Sequence, residues 1–216
     1  MPEDLPLFYR HRPAEGDDSA PALVLLHGRG ADEDDLVPVG QRLPGDRHVF
    51  SVRAPDRLGP GYSWYDLDLS AGGLEESQPD AADFERSRGL LDEFVDGLSE
   101  RYGVDRVSLL GFSQGAILAL ATVLERPTDF EWCVALHGYL PDSHGDGSRF
   151  AGVEGFPVFL GAGDLDQVIP ASRAERAAGL LADAGLSVTF RTYPTGHGIG
   201  AAELADLTDW VAECES

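Results

Sequence analysis

The chain of 216 residues has no lysine: all 16 of its basic residues are arginine, set against 38 Asp and Glu. The formal balance is -22 at pH 7. So little positive charge argues against binding nucleic acid, whose phosphates are held by clustered Lys and Arg. It also argues against anionic membrane surfaces. Cysteine is nearly absent. Cys133 and Cys214 supply neither a disulfide framework nor a metal site. Cys133, in the apolar run Trp132 to Leu136, reads as a small buried hydrophobe. No apolar run approaches the roughly 18 residues that span a bilayer. The stretch from Met1 to Arg12 lacks a basic-then-apolar signal pattern. These absences predict a soluble cytoplasmic protein that needs no metal or cofactor.

What is present argues for a packed core. Hydrophobic residues make up 43% of the chain and aromatics 9%, too many for the disorder that high net charge otherwise signals. The length suits a single domain over residues 1–216. Self-repulsion at this charge is relieved by salt, because the Debye length falls from about 10 Å at 0.1 M to about 3 Å at 1 M. Asp (23) outnumbers Glu (15). With no long lysine stems, the composition resembles that of proteins working in a salt-filled cytosol. An acidic protein of a GC-rich genome, which also favours Arg over Lys, is the alternative.

Short apolar runs alternate with longer amphipathic ones. Candidate strands are 5–10, 22–27, 48–54, 106–110, 132–136, 157–161 and 187–193; candidate helices are 32–43, 80–102, 114–125, 170–184 and 200–213. Continuous apolar runs such as Ala22 to Leu26 read as strands buried on both faces. Leu90, Leu91, Phe94, Val95 and Leu98 form a helical stripe facing a sheet. The alternation predicts an α/β fold with a mostly parallel sheet. Residues 56–76 and 140–155 fit no regular element. Both follow strands, where open α/β sheets place ligands.

Gly111-Phe112-Ser113-Gln114-Gly115 matches G-x-S-x-G. It lies between an apolar strand and an apolar helix, the context a nucleophile elbow requires. The strained turn lifts the serine hydroxyl above the sheet, and flanking glycines let strand and helix backbones pass closely. A serine needs a base and the base an orienting acid, in the chain order Ser, Asp/Glu, His. His197, between Gly196 and Gly198 after a strand, is the expected base. His144, in a polar Gly-rich loop, is expected to be solvated. For the acid, Asp166 in Asp-x-Val-Ile-Pro is preferred over Asp164. An oxyanion needs two backbone N–H donors. Gln114, after the nucleophile, supplies one, and Arg29 in His27-Gly28-Arg29-Gly30 the other. That turn can instead simply cap the next helix, with Asp32 as N-cap. His27 reads as a scaffold residue.

Four motifs stand in order: HGRGAD, GFSQGA, GDLDQVIP and GHGI. Together they resemble the carboxylesterase, lysophospholipase and acyl-protein thioesterase group of compact α/β hydrolases, from about Leu23 to Trp210. The resemblance implies an α/β-hydrolase fold with helices on both faces and no large cap. It implies Ser113 as nucleophile, Asp166 as acid, His197 as base, and oxyanion donors at Arg29 and Gln114. The Tyr62 to Asp66 segment resembles that group's Trp-Phe-Asp stretch near the acyl pocket. Ala135 to Pro141 resembles its Leu-Ser-Gly-x-Leu-Pro stretch, with His137 in place of the usual serine.

The expected partner is a small-molecule ester, with a homodimer left open. Trp64, Tyr65, Leu67, Leu69, Tyr139, Leu140, Val168 and Ile199 are candidate walls of an apolar pocket, or else core. An acyltransferase, a lactone or short-peptide hydrolase, and a silent ligand-binding relative are alternatives.

Overall fold

A computed structural model describes residues 5–16, 20–150 and 152–216. Met1 to Asp4, part of the stretch read for a signal pattern, lie outside it. So does Ala151 of the 140–155 segment. In chain order the strands are β1 (Tyr9–Arg12), β2 (Ala22–Leu26), β3 (His48–Val52), β4 (Asp56–Leu58), β5 (Gly61–Ser63), β6 (Leu67–Asp68), β7 (Gln78–Pro79), β8 (Val107–Phe112), β9 (Phe130–Leu136), β10 (Pro157–Gly163) and β11 (Ser187–Tyr193). The helices are α1 (Val37–Gly40), α2 (Ala81–Tyr102), α3 (Gln114–Glu125), α4 (Ala171–Asp183) and α5 (Ala201–Cys214).

Seven strands form one sheet in the order β1-β3-β2-β8-β9-β10-β11. All its pairings are parallel except that of β1 with β3. The continuous apolar strands are buried on both faces because alternate residues feed two cores. In β2, Ala22, Val24 and Leu26 enter the larger core with α2, α3 and α4. Leu23 and Leu25 enter the smaller one with Val39, Leu207 and Val211. Helices therefore cover both faces, and the chain has no separate cap.

The sequence expectations hold for the central strands and the four long helices, within a few residues. Asp80 caps α2 by accepting from the amides of Ala82 and Asp83, and Gly103 ends it at φ 69°. Three expectations are corrected. The helix expected over 32–43 shrinks to Val37–Gly40, because Asp32 instead accepts from the Asp34 amide in a turn and Pro38 adds no donor. The first strand is not 5–10 but Tyr9–Arg12, since Pro6 cannot donate to a ladder and pairing begins at Tyr9 with Val52. The segment 56–76 is not irregular. It folds into the β4–β5 ribbon and the strand β6, which pairs with β7, elements too short for any period to show.

Among the described residues, no helix is long and apolar enough to cross a membrane.

Candidate active site

Four carboxyl ends of the parallel sheet converge on one spot. Ser113 follows β8 with φ 53°, a left-handed conformation costly for a residue with a Cβ. The glycines around it are there for close approach. A Cβ on Gly115 would fall on the Leu26 carbonyl, and one on Gly111 on the Gly115 backbone. Gly28 packs against Phe112 and the Ser113 Cβ, where a side chain would collide at 2.9 Å. The loop after β2 is thus pressed onto the turn after β8.

His197, in the loop between β11 and α5, lies with Nε2 2.9 Å from the Ser113 Oγ. Its Nδ1–H donates to Asp166 Oδ2 at 2.6 Å. Asp166 follows β10 and is buried. Its other oxygen accepts from the amides of Val168 (2.8 Å) and Ile169 (2.9 Å). Burial works to raise the Asp166 carboxyl, but hydrogen bonds from His197, these two amides and His137 outweigh it and hold the carboxyl below its ordinary range. Asp164 is exposed and its amide is tied to the Tyr193 carbonyl. The structure therefore joins Ser113, His197 and Asp166, and leaves Asp164 aside.

The main-chain N–H groups of Arg29 and Gln114 donate to no acceptor among the described loops, and both residues line the cavity beside Ser113. The Gln114 side chain is itself a clamp. Its Oε1 accepts from Ser63 Oγ and the Trp64 amide at 3.1 Å, and its Nε2 donates to the Tyr65 carbonyl at 2.8 Å. His27 is a scaffold: its Nδ1–H donates to the Gly28 carbonyl and its Nε2 accepts from the Ala54 amide. Burial lowers its pKa.

The cavity holds about 220 Å³. Tyr65, Leu67, Tyr139 and Val168 line it as expected. Trp64, Leu140 and Ile199 do not. Trp64 is fully buried, its indole N–H donating to the His27 carbonyl at 2.9 Å. Leu140 faces a neighbouring cleft with Arg173 and Arg176. Ile199 packs on the smaller core below the sheet. Leu69 is exposed and does not reach the cavity. Leu74, Ser77, Ile117 and Ile169 complete the wall. Of these only Ile117 carried a signal, standing one helical turn after Ser113.

One histidine departs from expectation. His144 is buried, not solvated, with Nε2 3.1 Å from Glu125 Oε1. The 142–144 turn docks it against α3 in an ion-pair cluster with Arg149 and Arg88. His137 is also fully buried and contacts Asp166. His137, Asp166 and His197 are one grouping whose ligand atoms lie close enough for a metal ion, within 4.8 Å of one another. Each of those atoms is already in a hydrogen bond.

A parallel sheet with helices on both faces, a serine on a strained strand–helix turn and an adjoining histidine and aspartate define an α/β hydrolase. The chain belongs to the phospholipase/carboxylesterase family, whose profile matches residues 13–215. It is 27% identical over 220 residues to acyl-protein thioesterase 1 of Candida albicans, covering 92% of this chain and 94% of that protein. The solved structure of esterase PE8 superposes with a TM-score of 0.85 at 31% identity, covering 96% of this chain and 99% of that one. The Bacillus cereus carboxylesterase gives 0.84 at 26% identity, over 96% and 94%. The chain is an ester-cleaving hydrolase.

Proposed function

We propose that the chain is a single-domain serine hydrolase that cleaves carboxylic esters or thioesters in two acyl-transfer steps. The observation that carries this reading is the continuous hydrogen-bonded line from Ser113 Oγ through His197 to Asp166. His197 Nε2 takes the hydroxyl proton as Oγ bonds to the substrate carbonyl carbon. Negative charge moves to the carbonyl oxygen, where the free N–H groups of Arg29 and Gln114 receive it. The carbon–leaving-group bond then breaks, and the leaving group takes the proton from Nε2. In the second step water gives a proton to Nε2 as it attacks the acyl-enzyme; the bond from the acyl carbon to Oγ then breaks, Nε2 returns the proton to Oγ, and the acid leaves.

Asp166 keeps its charge throughout, held by the Val168 and Ile169 amides. It fixes the tautomer that leaves Nε2 free as a base. Tyr65, Leu67, Leu74, Ile117 and Ile169 offer an apolar wall for the acyl chain.

The test is labelling with a fluorophosphonate and hydrolysis of p-nitrophenyl butyrate. Wild type is expected to label at Ser113 and turn over, and Ser113→Ala to do neither. Normal hydrolysis by Ser113→Ala refutes the scheme.

A further inference from the structure

His137 follows β9, and the structure gives it a place no simple packing residue needs. Its side chain is fully buried. Its Nδ1 lies 3.2 Å from Asp166 Oδ2, the same oxygen that accepts from His197. Its Nε2 lies 3.2 Å from Oε2 of Glu203, on α5 and 66 residues away in sequence. Glu203 is fully buried as well. Its other oxygen has no hydrogen-bond partner among the described residues and lies against Gly161, where a Cβ would fall on it. Strand β10 thus leaves room for this carboxyl by carrying glycine.

The backbone adds an independent observation. Among the described residues, Ser113 and His137 are the two non-glycine positions with positive φ, both 53°. Such strain persists where surrounding structure imposes it, and it clusters at functional positions. Here the His137 amide is held by the Gly161 carbonyl at 2.7 Å.

Proton counting gives the chemistry. Each ring nitrogen of His137 faces a carboxylate oxygen, and two facing lone pairs repel. A donor is needed at both contacts. Either His137 carries both protons beside an ionised Glu203, or Glu203 keeps its proton and donates to Nε2. In both cases the pair is neutral and donates an N–H to Asp166. The other groups near it are the His197 ring at 5.6 Å, the Phe112 ring at 5.4 Å and, beyond Glu203, Tyr193 bonded to Asp206. Arg191 adds a positive charge that acts on Tyr193.

We propose that Glu203 and His137 form a proton-holding pair that positions Asp166, extending the site into a line of five residues: Glu203, His137, Asp166, His197 and Ser113. The inference rests on the reading of Ser113, His197 and Asp166 given above. His137 is a positioning residue. It holds Asp166 by the oxygen that takes no amide contact and draws negative charge away from that oxygen, which also faces His197.

The test is the pH profile of kcat/KM for p-nitrophenyl butyrate, followed at a wavelength insensitive to pH. In His137→Ser, Asp166 Oδ2 loses one donor and binds the His197 imidazolium more strongly. The acid limb is expected to move up by about half a pH unit or more. kcat falls about tenfold or more, with KM little changed. His137→Asn, whose amide nitrogen takes the place of Nδ1, restores part of both. Glu203→Gln keeps a neutral partner for Nε2, and its acid limb lies nearer wild type than that of His137→Ser. A merely structural role lowers the melting temperature of these variants and leaves the limb where it was.

Proton NMR of the wild type carries the test if the variants do not fold. Hydrogen-bonded imidazole N–H signals are expected downfield from both His197 and His137, told apart by ring-nitrogen correlation, and His197→Ala removes its own while leaving that of His137. Absence of a hydrogen-bonded His137 Nδ1–H signal, or folded His137→Ser with an unmoved limb and unchanged kcat, overturns the inference alone. Hydrolysis surviving in Ser113→Ala overturns the functional reading and this inference with it.

Discussion

Ser113 and His137 adopt the same left-handed backbone angle, φ 53°, at the ends of adjacent strands. The Ser113 amide donates to the carbonyl of Leu136, the residue before His137, at 2.9 Å. The two strained turns are therefore one unit: the turn that raises the serine is braced by the turn that aims His137 at Asp166. Disturbing either is expected to disturb the other.

The two candidate acids separate by substitution. Asp166→Asn removes the acceptor that orients His197 and is expected to lower kcat by about 10⁴-fold. Asp164→Asn changes an exposed carboxylate and is expected to leave kcat within about twofold. Steady-state kinetics of both variants checks the assignment; the reverse pattern moves the acid to Asp164.

Gly115→Ala places a methyl group on the Leu26 carbonyl, with the His27 carbonyl also within 2.8 Å. Backbone on both sides cannot yield as a side chain can. The variant is expected to lose about 3 kcal/mol in urea unfolding, and esterase activity with it. A Gly115→Ala protein of wild-type stability contradicts the close packing of α3 on β2.

The charge of -22 predicts salt dependence. Many arginines are already paired, for instance Arg126 with Asp92, Asp96 and Asp129, and Arg149 with Glu85 and Glu125. The excess carboxylates have no cation and repel. Screening this repulsion is expected to raise the melting temperature steadily from about 0.1 M to about 3 M KCl, as the Debye length shrinks below the spacing of surface charges. A flat or falling melting temperature rejects a high-salt habitat for the protein.

Stability has a signed dependence on pH through His137. Burial works to lower its pKa, but Glu203 and Asp166 raise it above the ordinary value. A group raised in the folded state contributes fully below its unfolded pKa, about 6.5, and loses that contribution as pH rises through the folded value. Wild-type melting temperature is therefore expected to decline from neutral to alkaline pH, and that of Glu203→Gln to decline less. His27 and His144, lowered by burial, act in the opposite sense and on the acid side. Equal slopes for the two proteins above neutral pH count against the pair.

The sequence by itself determined the strand–helix alternation, the strand buried on both faces, and the turn that carries Ser113. It also placed His197 and Asp166 at strand ends in the right chain order. These are local properties: period, glycine placement and the motif that bounds a turn are written within a few adjacent residues. The tertiary structure decided what no local pattern encodes. It turned Trp64 into the core and Leu140 and Ile199 away from the cavity, and it buried His144 against α3. It brought in Leu74, Ser77 and Ile169, and it joined His137 to Glu203. Those outcomes depend on sheet order and helix docking, which set residues far apart in the chain within hydrogen-bond distance. A single histidine in an apolar stretch reads the same in sequence whether it is a core residue or, as here, a contact of Asp166.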